Sequence, residues 1–240
     1  MRLYKYRDFS EQPDVAIRRV EEILRTCCFW CARPEDLNDK DELVWSIDFT
    51  PTARTASLLA KRFIEQGRNC NHAYLAGMWA VHQRLDVLEK HGQSALQALI
   101  AQGRSEIGIL CFATDASDHA LMWDRYGGSH CGICIELDVP DSLIGNHLYW
   151  VDYKNSKQVH IDQLLDTSTD SAKSVYEVAL LTKGISWKPE AEIRFVSKAQ
   201  NHPVWIEGSK ITGINFGGKL PEPTKNHILQ YVDTISEKTL

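Results

Sequence analysis

The sequence lacks the features that mark several large classes of protein. Its apolar runs stay far below the roughly 18 residues of a membrane-spanning helix, and its start, MRLYKYR, lacks the apolar core of a secretion signal. No run of lysine and arginine exceeds two residues, and the net charge is −5. This charge pattern disfavours broad capture of nucleic acid, since backbone-binding proteins carry basic stripes. We therefore expect a cytoplasmic protein that does not bind membranes.

Common catalytic and metal-binding signatures are also missing. The chain has no His-Glu-x-x-His motif, no Walker loop and no assignable Ser-His-Asp order. Its two Cys-x-x-Cys pairs begin at Cys28 and Cys131, and both lie in apolar, strand-like runs. The two cysteines of such a pair face opposite sides of a strand, so we favour buried thiols over a four-cysteine zinc site.

What the sequence does contain is a mixture of strand and helix patterns. About seven short strands and six or seven helices alternate irregularly, which favours an α+β fold with a mixed, mainly antiparallel sheet over regular βαβ units. Helical spacing predicts helices at about Pro51 to Gln66, His72 to His91 and Ser94 to Gln102, ended by Gly67, Gly92 and Gly103. We predict one domain over 1–240, with a helical subdomain at about 50–105.

Two polar segments near the start are candidates for ligand contact. In the first strand pattern, Lys5 and Arg7 share one face, and Tyr4 and Tyr6 share the other. A loop around Asn38 and Asp39 then concentrates polar residues. An Asx-type turn explains this loop without any function, whereas in a site Asn38 could hydrogen-bond a ribose or an amide.

A central stretch from 121 to 137 reads as a helix end, a glycine turn and a strand. Trp123 and Tyr126 are three residues apart and therefore share a helix face. The pair Gly127-Gly128 allows close approach of a ligand to the backbone, but it follows a helix and is no dinucleotide fingerprint. His130 could act as a general base or contact a ribose, or it could simply be a hydrogen-bonded histidine.

A late strand pattern, Trp187 to Val196, places Glu190, Glu192 and Arg194 on one face. An amphipathic edge strand with its charges in solvent explains the pattern without function. The alternative is that Glu192 is aimed into a cleft, where a carboxylate can stabilise an oxocarbenium-like ribosyl cation. Arg194 would then hold that carboxylate or bind a phosphate.

These segments form an ordered set that spans nearly the whole chain: LYKYR at 3–7, FWCARPEDLND at 29–39, CF at 111–112, MWDRY at 122–126, HCG at 130–132, IE at 135–136, VDY at 151–153 and WKPEAEIR at 187–194. Together they resemble the bacterial domain-of-unknown-function family 2971. The chain departs from the usual family pattern at Lys40, where proline is frequent, and at Gly127, where alanine is frequent.

The order of the elements is also similar to that of ADP-ribosyltransferase folds, a fold-level analogy. This similarity implies that Tyr6 and Trp30 flank nicotinamide, that Lys5 or Arg7 contacts a phosphate, and that the late-strand acid stabilises the ribosyl cation. The Ser-Thr-Ser and His-x-Thr signatures of those folds are absent from the early strands. Glu190 and Glu192 remain alternatives for the acid.

Three functions are compatible with the sequence. The first is an NAD-using ADP-ribosyltransferase or NAD glycohydrolase, in a toxin or phage-defence role, acting on a protein or nucleic-acid target. The second is a non-catalytic module that binds a nucleotide or a nucleic-acid end, and the third is a protein-interaction module. For the first, we expect Glu192 and His130 to be catalytic, with no metal. The expected NAD contacts are Tyr4, Lys5, Tyr6, Arg7, Trp30, Asn38, Asp39, Trp123, Tyr126 and Arg194.

Overall fold

The computed structural model describes residues 1–237 except for 11, 38–45, 84, 116–118, 167, 169–174, 176 and 199. The chain divides into two compact units. The first comprises Met1–Arg33, Ile107–Val151 and Ser186–Leu240, and the second comprises Pro34–Glu106 and Asp152–Ile185. The predicted helical subdomain lies within the second unit.

The first unit is built on an antiparallel sheet of six strands. In chain order its strands are β1 (Arg2–Arg7), β4 (Gly108–Ala113), β5 (Ile133–Asp138), β6 (Leu148–Trp150), β10 (Glu192–Ser197) and β12 (Lys210–Phe216). Their order across the sheet is β12-β5-β1-β4-β10-β6. β2 (Cys28–Cys31) and β11 (His202–Trp205) form a separate two-stranded ribbon. The α+β prediction with a mainly antiparallel sheet is confirmed.

One face of this sheet is apolar and forms the core. Helices α1 (Pro13–Thr26) and α7 (Glu222–Glu237) contribute Val20, Ile23 and Ile228 to it. The strands contribute buried aliphatic and aromatic residues, namely Leu3, Leu110, Phe112, Ile133, Ile135, Leu137 and Ile193. Burial of this apolar area is the main force that holds the unit together.

The opposite face of the sheet is polar and aromatic. One row across four strands runs through Glu192, Ala113, Tyr4 and Glu136. Short helix α5 (Ala120–Tyr126) packs on this face, because Met122 and Trp123 form a buried cluster with Tyr6, Ala113 and Cys134. The alternation in β1 therefore has the predicted consequence: the tyrosines lie on one face and Lys5 and Arg7 on the other.

The second unit contains helices α2 (Ala53–Glu65), α3 (Cys70–Gln83), α4 (Leu85–Glu106) and α6 (Ile161–Leu165), and residues 177–181 are also helical. Its short strands pair in parallel, β3 (Ser46–Asp48) with β8 (Gln158–His160) and β7 (Asp152–Lys154) with β9 (Thr182–Gly184). Among the described residues, no helix combines the length and apolar character needed to cross a membrane.

The predicted helix end at Gly92 is wrong, because α4 continues through that residue. A Cβ at Gly92 would lie 2.5 Å from Cδ1 of Ile161 and 2.9 Å from Cε1 of Phe49. Glycine is therefore required for close packing against these two side chains. The energetic cost of a glycine in a helix interior is small enough for this packing to outweigh it.

Candidate functional site

The polar face of the sheet carries a buried ion pair on β10. Nε of Arg194 donates to Oε1 of Glu192 at 2.7 Å, and the two residues are 0% and 4% exposed. Of the two alternatives for this strand, the edge strand with solvated charges is excluded, since β10 lies between β4 and β6. Desolvating two charges is costly, and the contact between them offsets part of that cost.

The predicted strand from Trp187 onwards is also wrong, because β10 begins only at Glu192. Ile185–Glu190 forms a 3₁₀ helix that contains Pro189, which has no N–H to donate to a sheet. Ala191 then adopts a left-handed conformation with φ 45°. The carbonyl oxygen of Ala191 accepts two hydrogen bonds from Thr114, one from the backbone N–H at 2.9 Å and one from the side-chain hydroxyl at 2.7 Å. These two bonds hold the backbone kink that separates the two glutamates.

Glu190 is a second buried acid and is only 3% exposed. Its Oε1 accepts a hydrogen bond from the Tyr126 hydroxyl at 2.6 Å and another from Nη1 of Arg125 at 3.1 Å. The Arg125 guanidinium also lies over the ring of Trp187, 4.8 Å from its centroid. Glu190 therefore connects α5 to the segment before β10 and fixes the position of that helix on the sheet.

Three rings form a continuous aromatic group beside this face. Tyr6 meets Trp123 edge to face with a centroid distance of 5.2 Å. Trp123 in turn stacks on His130 at 5.6 Å, with an interplanar angle of 14°. Trp123 and His130 are thus in direct contact, whereas Tyr126 turns its hydroxyl to Glu190.

The glycine turn serves the packing of the chain itself. A Cβ at Gly128 would lie 1.9 Å from Oδ1 of Asp8, and one at Gly132 would lie 1.9 Å from the carbonyl oxygen of Arg7. Gly128, Ser129 and His130 all have positive φ, so the turn is tight. We expected space for a ligand beside Gly127-Gly128. Next to Gly128 that space is taken by Asp8, which directly follows β1.

Cys111 belongs to the site although the sequence did not single it out. It lies opposite Arg194 on the polar face, and its side chain is hydrogen-bonded to Glu192. Burial, and then the negative charge of Glu192, raise the pKa of this thiol far above its usual value. Cys111 is therefore a neutral thiol that positions Glu192, a role visible only once β4 and β10 are paired.

Tyr4 lies between Ala113 and Glu136 in the same row of the sheet. Burial, and then the nearby Glu136 carboxylate, raise its pKa, so its hydroxyl stays protonated and can donate to a ligand. Glu136 itself accepts a hydrogen bond from Nδ2 of Asn215 at 2.6 Å. Among the predicted ligand contacts on this face, Tyr4 is thus a residue whose protonated hydroxyl can donate a hydrogen bond to a ligand.

The structure does not bring all the predicted contact residues to one place. Lys5 and Arg7 lie on the face opposite Glu192. Trp30 lies on the β2–β11 ribbon and is 52% exposed, so it does not join the group of Tyr6 and Trp123. Asn38 and Asp39 lie outside the described residues. Among the described residues, Tyr6, Trp30 and Arg7 therefore do not lie on one face.

Replacing Lys5 by methionine should raise the free energy of unfolding at pH 7. Burial, and then the charge of Arg7, lower the pKa of Lys5 from 10.5 to about 8. Between these values the unfolded chain binds more protons, so the wild-type protein gains stability as the pH rises. The lowered pKa corresponds to a penalty of about 3 kcal/mol for the charged form, so we expect Lys5→Met to be more stable by about 2–3 kcal/mol at pH 7 after the lost hydrogen bond to Cys111 is subtracted. Urea unfolding should show this difference shrinking as the pH rises from about 8 to 10.5, and a constant difference would contradict it.

The cysteines of the two Cys-x-x-Cys pairs differ in exposure. Burial raises the pKa of Cys31 to about 11 and that of Cys134 to about 12. Such thiols are chemically inert, since the thiolate is the reactive and metal-binding form. In the part of the chain that the structure describes, no group of three or more His, Cys, Asp and Glu side chains could hold a metal ion.

Comparison of the chain with models of protein families, with curated proteins and with solved structures gives no match. What the site can do is therefore inferred from its residues and their geometry.

Proposed function

We propose that the chain binds NAD or a similar nucleotide on the polar face of the sheet and cleaves the bond between nicotinamide and ribose. The observation that carries this proposal is the buried pair of Glu192 and Arg194, on the same face as Tyr4 and Tyr6. The resemblance to ADP-ribosyltransferase folds supports the same substrate. Transfer of ADP-ribose to a protein or nucleic acid, and hydrolysis, are the two outcomes of this chemistry.

In the proposed reaction the glycosidic C–N bond breaks and nicotinamide leaves with the electron pair. The ribose carbon becomes cationic, and water or another nucleophile then forms the new bond and loses a proton. The carboxylate of Glu192 stabilises the cation electrostatically. A fixed charge in a buried setting does this well, because it does not have to reorient as the cation forms.

The other residues of the face have roles that follow from their contacts. Arg194 and Cys111 keep the Glu192 carboxylate in one orientation. The ring of His130, which stacks on the buried Trp123, offers a flat surface suited to a nucleobase or to nicotinamide. His130 is half-buried at the end of this stack, where it is the candidate general base for the attacking nucleophile.

The decisive variant is Glu192→Gln, which keeps the shape of the side chain and removes its charge. We expect nicotinamide release from labelled NAD to fall by about 10³-fold. Glu190→Gln is the matched control, because it removes an equally buried acid that is bonded to α5. Loss of activity in Glu190→Gln alone would transfer the catalytic role to Glu190. No turnover and no NAD-dependent thermal shift in the wild-type protein would refute the proposal.

The second candidate is a non-catalytic module for a nucleotide or a nucleic-acid end. The observation in its favour is that Glu192 is only 4% exposed and already engaged by Arg194. Such a module would bind NAD with wild-type affinity in the Glu192→Gln variant and would release no nicotinamide in either protein. Calorimetric titration beside the activity assay separates the two candidates.

A further inference from the structure

Arg7 carries a positive charge that lacks a partner among the described residues. Its Nε is buried and makes no hydrogen bond. None of the ion pairs within the described part of the chain includes Arg7. Burial, and then repulsion from Arg19 on α1, lower its pKa to about 10, so it remains charged at neutral pH. A buried N–H without an acceptor is costly, which makes the Nε of this residue unusual.

Lys5 places a second positive charge on the same face of β1. Its Nζ donates to the carbonyl oxygen of Cys111 at 2.7 Å, and that acceptor is neutral. Arg7 lowers the pKa of Lys5 more than Glu192 raises it, and Glu192 lies on the other face of the sheet. With alternate residues of a strand roughly 7 Å apart, the two cations form one local positive region.

Acidic side chains next to Arg7 in sequence or on α1, among the described residues, are engaged elsewhere. Oδ1 of Asp8 accepts from the N–H of Ser10 at 2.7 Å. On α1, Glu21 bonds Nε2 of His227 at 2.7 Å, and Glu22 pairs with Arg25 at 3.2 Å. None of these carboxylates contributes to the pKa of Arg7. The positive region is therefore left without a counter-charge from these groups.

We propose that Arg7 and Lys5 bind a phosphate group, either as free phosphate or as a phosphate monoester. The planar fork of a guanidinium matches two phosphate oxygens, and an ammonium adds a point charge beside it. Two cations without a carboxylate suit a dianion better than the single charge of chloride. This site lies on the sheet face opposite Glu192 and stands whether or not Glu192 is catalytic.

The test is thermal unfolding of the whole chain in millimolar inorganic phosphate, with potassium chloride at equal ionic strength as reference. Phosphate at several times its dissociation constant should raise the Tm of the wild-type protein by about 3 °C. Arg7→Gln should abolish this shift. Arg18→Gln, which removes one positive charge from an exposed position of α1, should retain it. Adenosine monophosphate in place of phosphate distinguishes a monoester site from one for the free ion.

Three outcomes would overturn the proposal. The first is a wild-type protein whose Tm does not respond to phosphate beyond the chloride reference. The second is an equal shift in Arg7→Gln, which would place binding elsewhere. The third is an equal loss of the shift in Arg18→Gln, which would mean that the loss of any positive charge, and not of Arg7 in particular, abolishes the response. The Glu192→Gln variant should keep the phosphate shift, so failure of the proposed reaction and failure of this site are distinguishable.

Discussion

Replacing Arg194 by leucine should lower the free energy of unfolding by about 3–5 kcal/mol, the range for breaking a buried ion pair at one partner. The guanidinium is fully buried and is bonded to Glu192 at 2.7 Å. Its removal leaves the Glu192 carboxylate enclosed by the sheet without its guanidinium partner. The loss arises mainly from that buried charge, since leucine is itself well suited to a buried position.

Chemical denaturation at pH 7 measures this effect, and two further variants define its origin. Arg25→Leu removes an arginine from an exposed pair with Glu22 and should cost no more than about 0.5 kcal/mol. The double variant Arg194→Leu with Glu192→Leu should recover much of the loss, because no charge is then left buried. A loss in Arg194→Leu as small as that in Arg25→Leu would contradict the prediction.

Replacing Trp123 by alanine should cost about 3–5 kcal/mol, the range for truncating a large buried aromatic residue. Trp123 is 5% exposed and contacts both Tyr6 and His130 through its ring. Its removal opens a cavity between α5 and β1 and also removes two ring contacts. The cost is expected to appear as a lower urea midpoint with an unchanged m-value.

Trp30→Ala is the matched control, because the same side chain is removed from a position that is 52% exposed. We expect it to cost less than about 1 kcal/mol. Trp123→Phe should fall between the two, since it keeps an aromatic ring against Tyr6. Equal destabilisation by Trp30→Ala and Trp123→Ala would show that the buried aromatic group is not the stabilising feature described above.

The candidate site was only partly predictable from sequence. Glu192 and Arg194 were singled out together, and the structure places them in direct contact. Tyr6, Trp123 and His130 were also singled out, and their rings form one group. Whether these residues bind NAD stays a prediction, as do the remaining functional roles.

The errors share one physical cause, which is that a sequence pattern does not reveal which elements become neighbours. The charges of β10 were compatible with a solvated edge strand, but β4 and β6 pair on either side of it. Gly92 had the local signature of a helix end, but Ile161 and Phe49 pack where its side chain would be. Cys111 had no local signature at all.

The sequence by itself determined the properties that depend on local geometry. The period of a strand placed Tyr4 and Tyr6 opposite Lys5 and Arg7, and helical spacing predicted the helix at about Pro51 to Gln66, which the structure has at Ala53–Glu65. Both patterns follow from the direction of successive Cβ atoms. Only the tertiary structure decided which charges are buried. Glu192 contacts Arg194 and Cys111 inside the sheet, whereas the Nε of Arg7 has no hydrogen-bond acceptor among the described residues. Those outcomes depend on strand order and register, which bring together residues that are distant in the chain.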